Sequence, residues 1–158
     1  MSLYLNSTHR NFLYAQAESA YPEECCGLLI GTTTGPNKTI LEIWPAENIW
    51  NPQTAVSLGD TSNRTKQSRY AIAPEFMLQA QKQSRERHLS ILGIYHSHPD
   101  NPAIPSECDR HYAWPQYSYI IISVIQTKAA DLQNWTLDDT GHFQPEAMLT
   151  GDQELGFE

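Results

Sequence analysis

Short apolar runs bounded by turn-forming residues are the most regular feature of the chain. Three such runs, at residues 25–31, 89–95 and 117–125, predict buried strands. A strand that is covered on both faces is apolar throughout rather than alternating, and these runs have that pattern. Two more strands are predicted at residues 39–44, as the partner of the first run, and at residues 132–137.

Two longer stretches have apolar residues at helical spacing. Residues 6–20 predict an N-terminal helix that ends before Pro22. Residues 75–87 contain no glycine or proline, and Pro74 precedes them at the helix start, where proline is favoured. A short third helix is predicted at residues 107–113.

The alternation of helices and strands predicts an α/β layered fold. A length of 158 residues suits one core, so residues 1–158 are expected to form a single domain. Residues 45–69 show little periodicity and predict a long, mobile loop. The tail after Gly141 is expected to be loosely ordered.

Composition excludes some classes of binding partner and indicates a cellular compartment. The formal charge of −8 disfavours nucleic acid, since a net negative protein repels phosphate backbones. The longest apolar stretches fall far short of the roughly 20 residues that cross a membrane, and the polar N-terminus lacks a signal-peptide pattern. Three cysteines, with Cys25 and Cys26 adjacent, indicate reduced thiols. We therefore expect a cytoplasmic protein with no membrane contact.

The first candidate functional residues are His96-Ser97-His98, which follow directly after the predicted strand at residues 91–95. Residues i and i+2 of an extended segment project to the same side, so His96 and His98 can face one metal ion. A catalytic zinc typically takes three protein ligands and leaves a fourth position for water. Asp109 is the best candidate for the third ligand.

Each half of this pattern has a simpler explanation. Ser106-x-x-Asp109 is also the pattern of a capping box at the start of a helix. A histidine pair such as His96 and His98 is more often a polar end of a strand than a metal site. Taken separately, neither half predicts a metal.

Taken together, the residues read His-x-His, seven residues, Ser, two residues, Asp, and this resembles the signature of the JAMM/MPN metallopeptidase family. The resemblance continues upstream, where residues 24–31 match the family pattern Glu-x-x-Gly-Leu-hydrophobic-hydrophobic-Gly. Downstream, residues 114–119 resemble short bacterial members of the family. The matches cover most of residues 10–137.

The resemblance implies a fold and a set of roles. The fold would be the three-layer MPN fold, a curved mixed β-sheet flanked by helices and related to zinc cytidine deaminases. One zinc ion would be bound by His96, His98 and Asp109. Glu24 would act as general acid/base, and Ser106 would donate to the oxyanion. Residue chemistry alone leaves Glu23 as an alternative to Glu24, because strand alternation sends the two to opposite sides.

The resemblance also implies a substrate class. The family cleaves after the flexible Gly-Gly tail of ubiquitin or of ubiquitin-like sulfur carriers, and short bacterial members resemble peptidases that release cysteine from such carriers. The loop at residues 48–68 and a strand at residues 69–72 are expected to line a groove for this tail, because an extended peptide can pair with an exposed strand edge. Residues 55–68 form a longer stretch than in many bacterial relatives, and the oligomeric state, the carrier and the released amine stay open.

Three other functions compete with this one. A non-catalytic MPN scaffold is disfavoured because every ligand and the glutamate are present. A zinc nucleoside deaminase needs His-x-Glu followed by Pro-Cys-x-x-Cys, which the chain lacks. A cysteine hydrolase would use Cys25, Cys26 or Cys108 with a histidine base, although a thiol in a strand usually serves packing.

Overall fold

A computed structural model describes residues 1–51, 65–111 and 113–150 of the chain. Within these residues the chain order is β1 (Ser2–Leu5), α1 (Ser7–Ala20), β2 (Cys26–Thr34), β3 (Asn37–Ala46), α2 (Pro74–Glu86), β4 (Ser90–Pro99), α3 (Glu107–His111), β5 (Ser118–Ile125), β6 (Lys128–Leu137), β7 (Phe143–Pro145) and β8 (Ala147–Thr150).

The strands form one curved, nearly closed sheet in the order β7-β6-β5-β4-β2-β3-β1-β8. β4 lies at its middle, antiparallel to β2 and parallel to β5. β1 runs parallel to both β3 and β8, which makes the sheet mixed. The predicted α/β class with a curved mixed sheet is therefore confirmed.

Helices cover both faces of this sheet, which explains why the central strands are apolar on both sides. α1 buries Leu13 and Ala17 in a core that includes Leu29 of β2. On the opposite face, α2 buries Ala80 against a second core that includes Leu28 of β2. None of the helices in the described part of the chain is long and apolar enough to span a membrane.

Two local features place the end of β4. Gly93 is required because a Cβ atom at this position would overlap the Ser118 carbonyl of β5. β4 ends at Pro99, and the φ of 57° at the next residue, Asp100, lies in the left-handed region that aspartate tolerates. Its carboxylate accepts hydrogen bonds from the Gln126 backbone N–H (2.9 Å) and the Tyr21 hydroxyl (2.6 Å). The strand that carries the two histidines is thus held along its length and at its end.

The predicted number and length of the strands were wrong in several places. β4 continues to Pro99, four residues beyond the predicted end, because the polar residues after Tyr95 are buried and pair with β5. β1 was not predicted, since four residues are too short for a periodic signal. The tail after Gly141 forms β7 and β8 as far as Thr150.

The predicted loop and its neighbouring strand also differ from the structure. β3 extends to Ala46, so the irregular segment begins later than expected. Residues 69–72 have no regular secondary structure, because their backbone bonds go to residues 48 and 49 rather than to a strand ladder. Most of residues 55–68, and the mobility expected there, lie outside the described residues.

Candidate metal centre

The end of β4 brings two imidazole rings together. His96 is 1% exposed and His98 is 8% exposed. Their Nε2 atoms lie 3.1 Å apart, so both rings present the same nitrogen to one point. The ring of Tyr70 stacks on His96 with a centroid distance of 4.5 Å and an interplanar angle of 22°, which fixes the plane of that ring.

Asp109 reaches the same point from the first turn of α3. Its Oδ1 lies 3.2 Å from His96 Nε2 and its Oδ2 lies 3.2 Å from His98 Nε2. The helix start is a capping box, in which the Ser106 hydroxyl accepts from Asp109 N–H (3.1 Å) and Asp109 Oδ2 accepts from Ser106 N–H (2.8 Å). The helix cap and the metal-ligand geometry are therefore both present in the same residues.

The hydrogen bonds of the rings favour metal binding. His98 Nδ1 donates to the Pro102 carbonyl at 2.9 Å, so in the neutral ring Nε2 carries the lone pair that a metal needs. His96 Nδ1 is buried with no hydrogen-bond partner among the described residues. In the neutral tautomer that Pro102 favours, the lone pair of His98 Nε2 faces the Asp109 carboxylate at 3.2 Å, and a cation between them would relieve this repulsion.

The protonation states agree with this geometry. Burial lowers the pKa of His96, which keeps the ring neutral. Burial alone would raise the pKa of Asp109, but the electrostatic interactions of its carboxylate with the rings of His96 and His98 outweigh burial and hold that pKa below its usual value. Neutral histidine and ionised aspartate are the forms that ligate metals. With the ligand atoms within 4.8 Å of one another, the donor set fits a zinc ion.

Glu24 lies just before β2, beside the histidine strand. It is 6% exposed, whereas Glu23 is exposed, so the structure places Glu24 at the site and Glu23 in solvent. The backbone next to Glu24 is tied to β4, because Cys25 N–H donates to the Ser97 hydroxyl (2.8 Å) and the Cys25 carbonyl accepts from Ser97 N–H (3.1 Å). Burial and the nearby Asp109 carboxylate raise the pKa of Glu24 well above its usual value, against a smaller opposing effect of Arg69.

Two cavities open beside the ligand atoms. The first, of about 340 Å³, is lined by Glu24, Ser68, Arg69, His98, Asn101, Pro102, Ile104 and Ser106. The second, of about 290 Å³, is mainly apolar and is lined by Arg69, Tyr70, Ala71, Ile72, Met77, Ile94, Cys108, Asp109 and Trp114. Arg69 lines both, so the cavities adjoin at this residue. Residues 69–72 thus line a groove as expected, although not as a strand.

The cysteines do not have the properties of a nucleophile. Burial raises the pKa of the Cys25 thiol to about 11, so the thiol stays protonated at neutral pH. Burial also raises the pKa of Cys26. Cys108 is half-buried beside Asp109 and lines the apolar cavity. A thiolate nucleophile at Cys25 or Cys26 is disfavoured.

Sequence reasoning did not predict three contacts that shape the site. Tyr70 stacks on His96, Ser97 ties β4 to the residue before β2, and Asn48 bonds to the backbone of Glu24. The position of Ser97 could have been recognised from the sequence. It lies between two candidate metal ligands in a strand that is covered on both faces, so its small polar side chain is expected to be buried. Asn48 could not have been recognised in this way, because it lies in a stretch of sequence without periodicity.

The mixed sheet between helical layers, with two histidines at the end of its central strand, defines a JAB/MPN domain. The chain matches the family Prok-JAB, described as prokaryotic homologs of the JAB domain, over residues 7–138, and it belongs to this family. The JAMM/MPN resemblance of the sequence is thereby confirmed.

Individual relatives agree with this assignment. The chain is 29% identical to a protein named desampylase from Haloferax volcanii over 120 residues, which cover 75% of this chain and 73% of the relative. A solution structure from Desulfitobacterium hafniense has a TM-score of 0.74 at 27% identity and covers 94% of this chain and 92% of its own. A JAB1/MPN domain protein from Archaeoglobus fulgidus has a TM-score of 0.53 at 15% identity, covering 94% and 99%, and shares the fold.

Proposed function

We propose that this chain is a cytoplasmic, zinc-dependent metallopeptidase that hydrolyses an amide bond at the C-terminal Gly-Gly tail of a ubiquitin-like or sulfur-carrier protein. The observation that carries the proposal is the convergence of two histidines and one aspartate beside a buried glutamate. His96, His98 and Asp109 would hold the zinc ion, and Glu24 and Ser106 share a cavity with His98.

Zinc held by such a donor set supplies a Lewis acid and lowers the pKa of a water molecule towards about 7. The chain's own residues handle the protons. Glu24 takes a proton from the attacking water and delivers it to the nitrogen of the departing amine. Burial raises the pKa of the Glu24 carboxyl, which makes its carboxylate a stronger base than that of a solvated glutamate.

Ser106 stabilises the negative charge that develops on the carbonyl oxygen. Its hydroxyl oxygen already accepts from Asp109 N–H, which orients the group and leaves the hydroxyl hydrogen to donate towards the first cavity. A well-placed donor of this kind contributes roughly 2.7 to 4 kcal/mol to transition-state stabilisation. The cap therefore supports the catalytic role rather than competing with it.

The two cavities suggest how a carrier tail lies across the site. The apolar cavity, with Tyr70, Ile72 and Trp114 in its walls, suits the extended tail, and the cavity lined by Glu24 and Ser106 receives the departing amine. The desampylase relative supports this substrate class, since its name denotes an isopeptidase acting on a ubiquitin-like protein.

The test combines metal content with cleavage. Wild type, His98→Ala and Glu24→Gln are purified, analysed for zinc by mass spectrometry, and incubated with a fusion of a ubiquitin-like carrier tail to a reporter peptide. We expect about one zinc per chain in wild type and Glu24→Gln, little in His98→Ala, and cleavage by wild type only. If the wild-type protein bound no zinc even when zinc was supplied, the hydrolase proposal would be wrong and the non-catalytic scaffold would be favoured.

A further inference from the structure

Asn48 lies in the irregular segment after β3 and uses its whole side-chain amide beside the site. Nδ2 donates to the carbonyl oxygens of Glu24 (3.1 Å) and Arg69 (3.0 Å). Oδ1 accepts from the backbone N–H groups of Trp50 (3.1 Å) and Ala71 (3.2 Å). The two hydrogens and the two lone pairs of this amide are therefore all engaged.

In the described part of the chain, the residues that Asn48 joins lie outside the strand ladders. Glu24 precedes β2 and lies outside the ladder, and its own N–H donates to the Lys66 carbonyl (2.7 Å). The Arg69 and Ala71 backbone belongs to no strand, and Ala71 adds one bond from its carbonyl to Ile49 N–H (3.0 Å). The Asn48 side chain thus bonds to both irregular segments, in addition to the backbone bond between Glu24 and Lys66.

Both segments carry groups that the proposed reaction uses. One carries the Glu24 carboxyl, which lines the cavity shared with His98 and Ser106. The other carries Tyr70, whose ring stacks on His96 and lines the apolar cavity. The four hydrogen bonds of this amide therefore contribute to the relative position of the acid/base and the wall of the groove.

We propose that Asn48 is a positioning residue for hydrolysis, which sets the Glu24 carboxyl against the groove wall at Tyr70. This inference rests on the proposed function. Asn48 contacts the backbone of the catalytic segment and not the reacting atoms, so it acts through Glu24 and the groove. A displacement of about 1 Å between such groups costs on the order of 100-fold in rate.

A purely structural role gives a different result. If the amide only stabilised the fold, its loss would lower the melting temperature, and each folded, zinc-loaded molecule would turn over at the wild-type rate. A positioning role lowers kcat per bound zinc. The deciding quantity is therefore kcat divided by zinc content, measured beside the melting temperature.

The main variant is Asn48→Asp, which keeps an oxygen for Trp50 and Ala71 but has no N–H to donate to Glu24 and Arg69. The matched control is Asn51→Asp, three residues along the same segment. Asn51 is exposed, and its amide donates to the Ile49 carbonyl (3.2 Å), so the control makes the same change in charge away from the site.

We expect kcat per bound zinc to fall about 100-fold in Asn48→Asp and to stay within about twofold of wild type in Asn51→Asp. Wild-type kcat per bound zinc in Asn48→Asp would overturn the positioning role alone. A wild type that cleaved no carrier fusion would instead overturn the proposed function, and the positioning role with it.

A second readout needs no turnover and keeps the inference testable if Asn48→Asp folds poorly. In metal-free Asn48→Ala, the N–H groups of Trp50 and Ala71 lose their acceptor, so their amide hydrogens should exchange faster by NMR. Exchange in β4, which Asn48 does not contact, should be unchanged. Wild-type exchange at Ala71 would show that the amide does not hold this segment, and the inference would be wrong.

Discussion

The two halves of the candidate site are held in different ways. The sheet half, His96 and His98 on β4, lies in the middle of an eight-stranded sheet, where His96 pairs with Ile121 and His98 with Ser123 of β5. The crossover half, Ser106 and Asp109, sits at the start of a five-residue helix between β4 and β5. Its best-defined support is a pair of reciprocal capping bonds.

This difference separates folding from metal binding. Residues of the sheet half are part of the core, so changing them disturbs the strands as well as the site. Residues of the crossover half are held locally, and changing them should alter the metal or the rate while the sheet stays intact. Four substitutions test this contrast.

The largest effect is expected for Asp109→Ala. The variant lacks the carboxylate ligand, so we expect loss of zinc after dialysis and no detectable hydrolysis, with the far-ultraviolet circular dichroism of the metal-free protein unchanged. Asp139→Ala removes an exposed aspartate from the turn after β6 and serves as the control. Loss of the β-sheet signal in Asp109→Ala would contradict the separation of the two halves.

A smaller loss of rate is expected for Ser106→Ala. The backbone N–H of residue 106 still donates to the aspartate, so zinc is retained, while the missing hydroxyl lowers kcat by about 10²- to 10³-fold. Steady-state kinetics on zinc-loaded protein measures this, with the exposed Ser90→Ala as the matched control. An unchanged kcat would mean that the hydroxyl only caps the helix.

For Ser97→Ala we expect a lower free energy of unfolding rather than a lower rate of hydrolysis. Ser97 is fully buried, and without its hydroxyl the Cys25 N–H loses its acceptor. A buried group left unsatisfied costs about 1 to 3 kcal/mol, to be measured by urea denaturation of the metal-free protein. A variant as stable as wild type would remove the distinction drawn for the sheet half.

Cys108→Ser should have the smallest effect. The thiol lies beside Asp109 and has no part in the proposed mechanism, so zinc content and kcat should stay within about twofold of wild type. Kinetics and metal analysis on the same preparation check this. Abolished turnover with zinc retained would reopen the cysteine hydrolase alternative.

The parts of the fold predicted from sequence are those with strong local signals. The strand at residues 25–31 and the helix after Pro74 depend on dense apolar patterns, and both are present. β7 and β8 were missed because they are three and four residues long and partly exposed. Their stability comes from pairing with β6 and β1, which no local pattern reports.

For the site, spacing predicted which residues meet but not how they are held. The i, i+2 histidines and the capping box both appear, and Glu24 is buried where Glu23 is exposed. The bridge made by Asn48 could not be predicted, because three of its four hydrogen-bond partners are 21 to 24 residues away in the sequence. All four bonds go to backbone atoms. Side-chain to backbone bonds of this kind leave no periodic trace.

Asp109 caps a helix and is also the proposed third metal ligand, and this double use would explain why the ligand is an aspartate. Zinc accepts histidine as readily as aspartate, so metal chemistry alone leaves this position open. The same carboxylate oxygen of Asp109 that faces His98 also accepts the hydrogen bond from the Ser106 N–H. A neutral imidazole has one acceptor nitrogen, and a ring that ligated zinc through it could not cap the helix as well. The start of a five-residue helix thus restricts evolutionary exchange at this position to an acidic side chain.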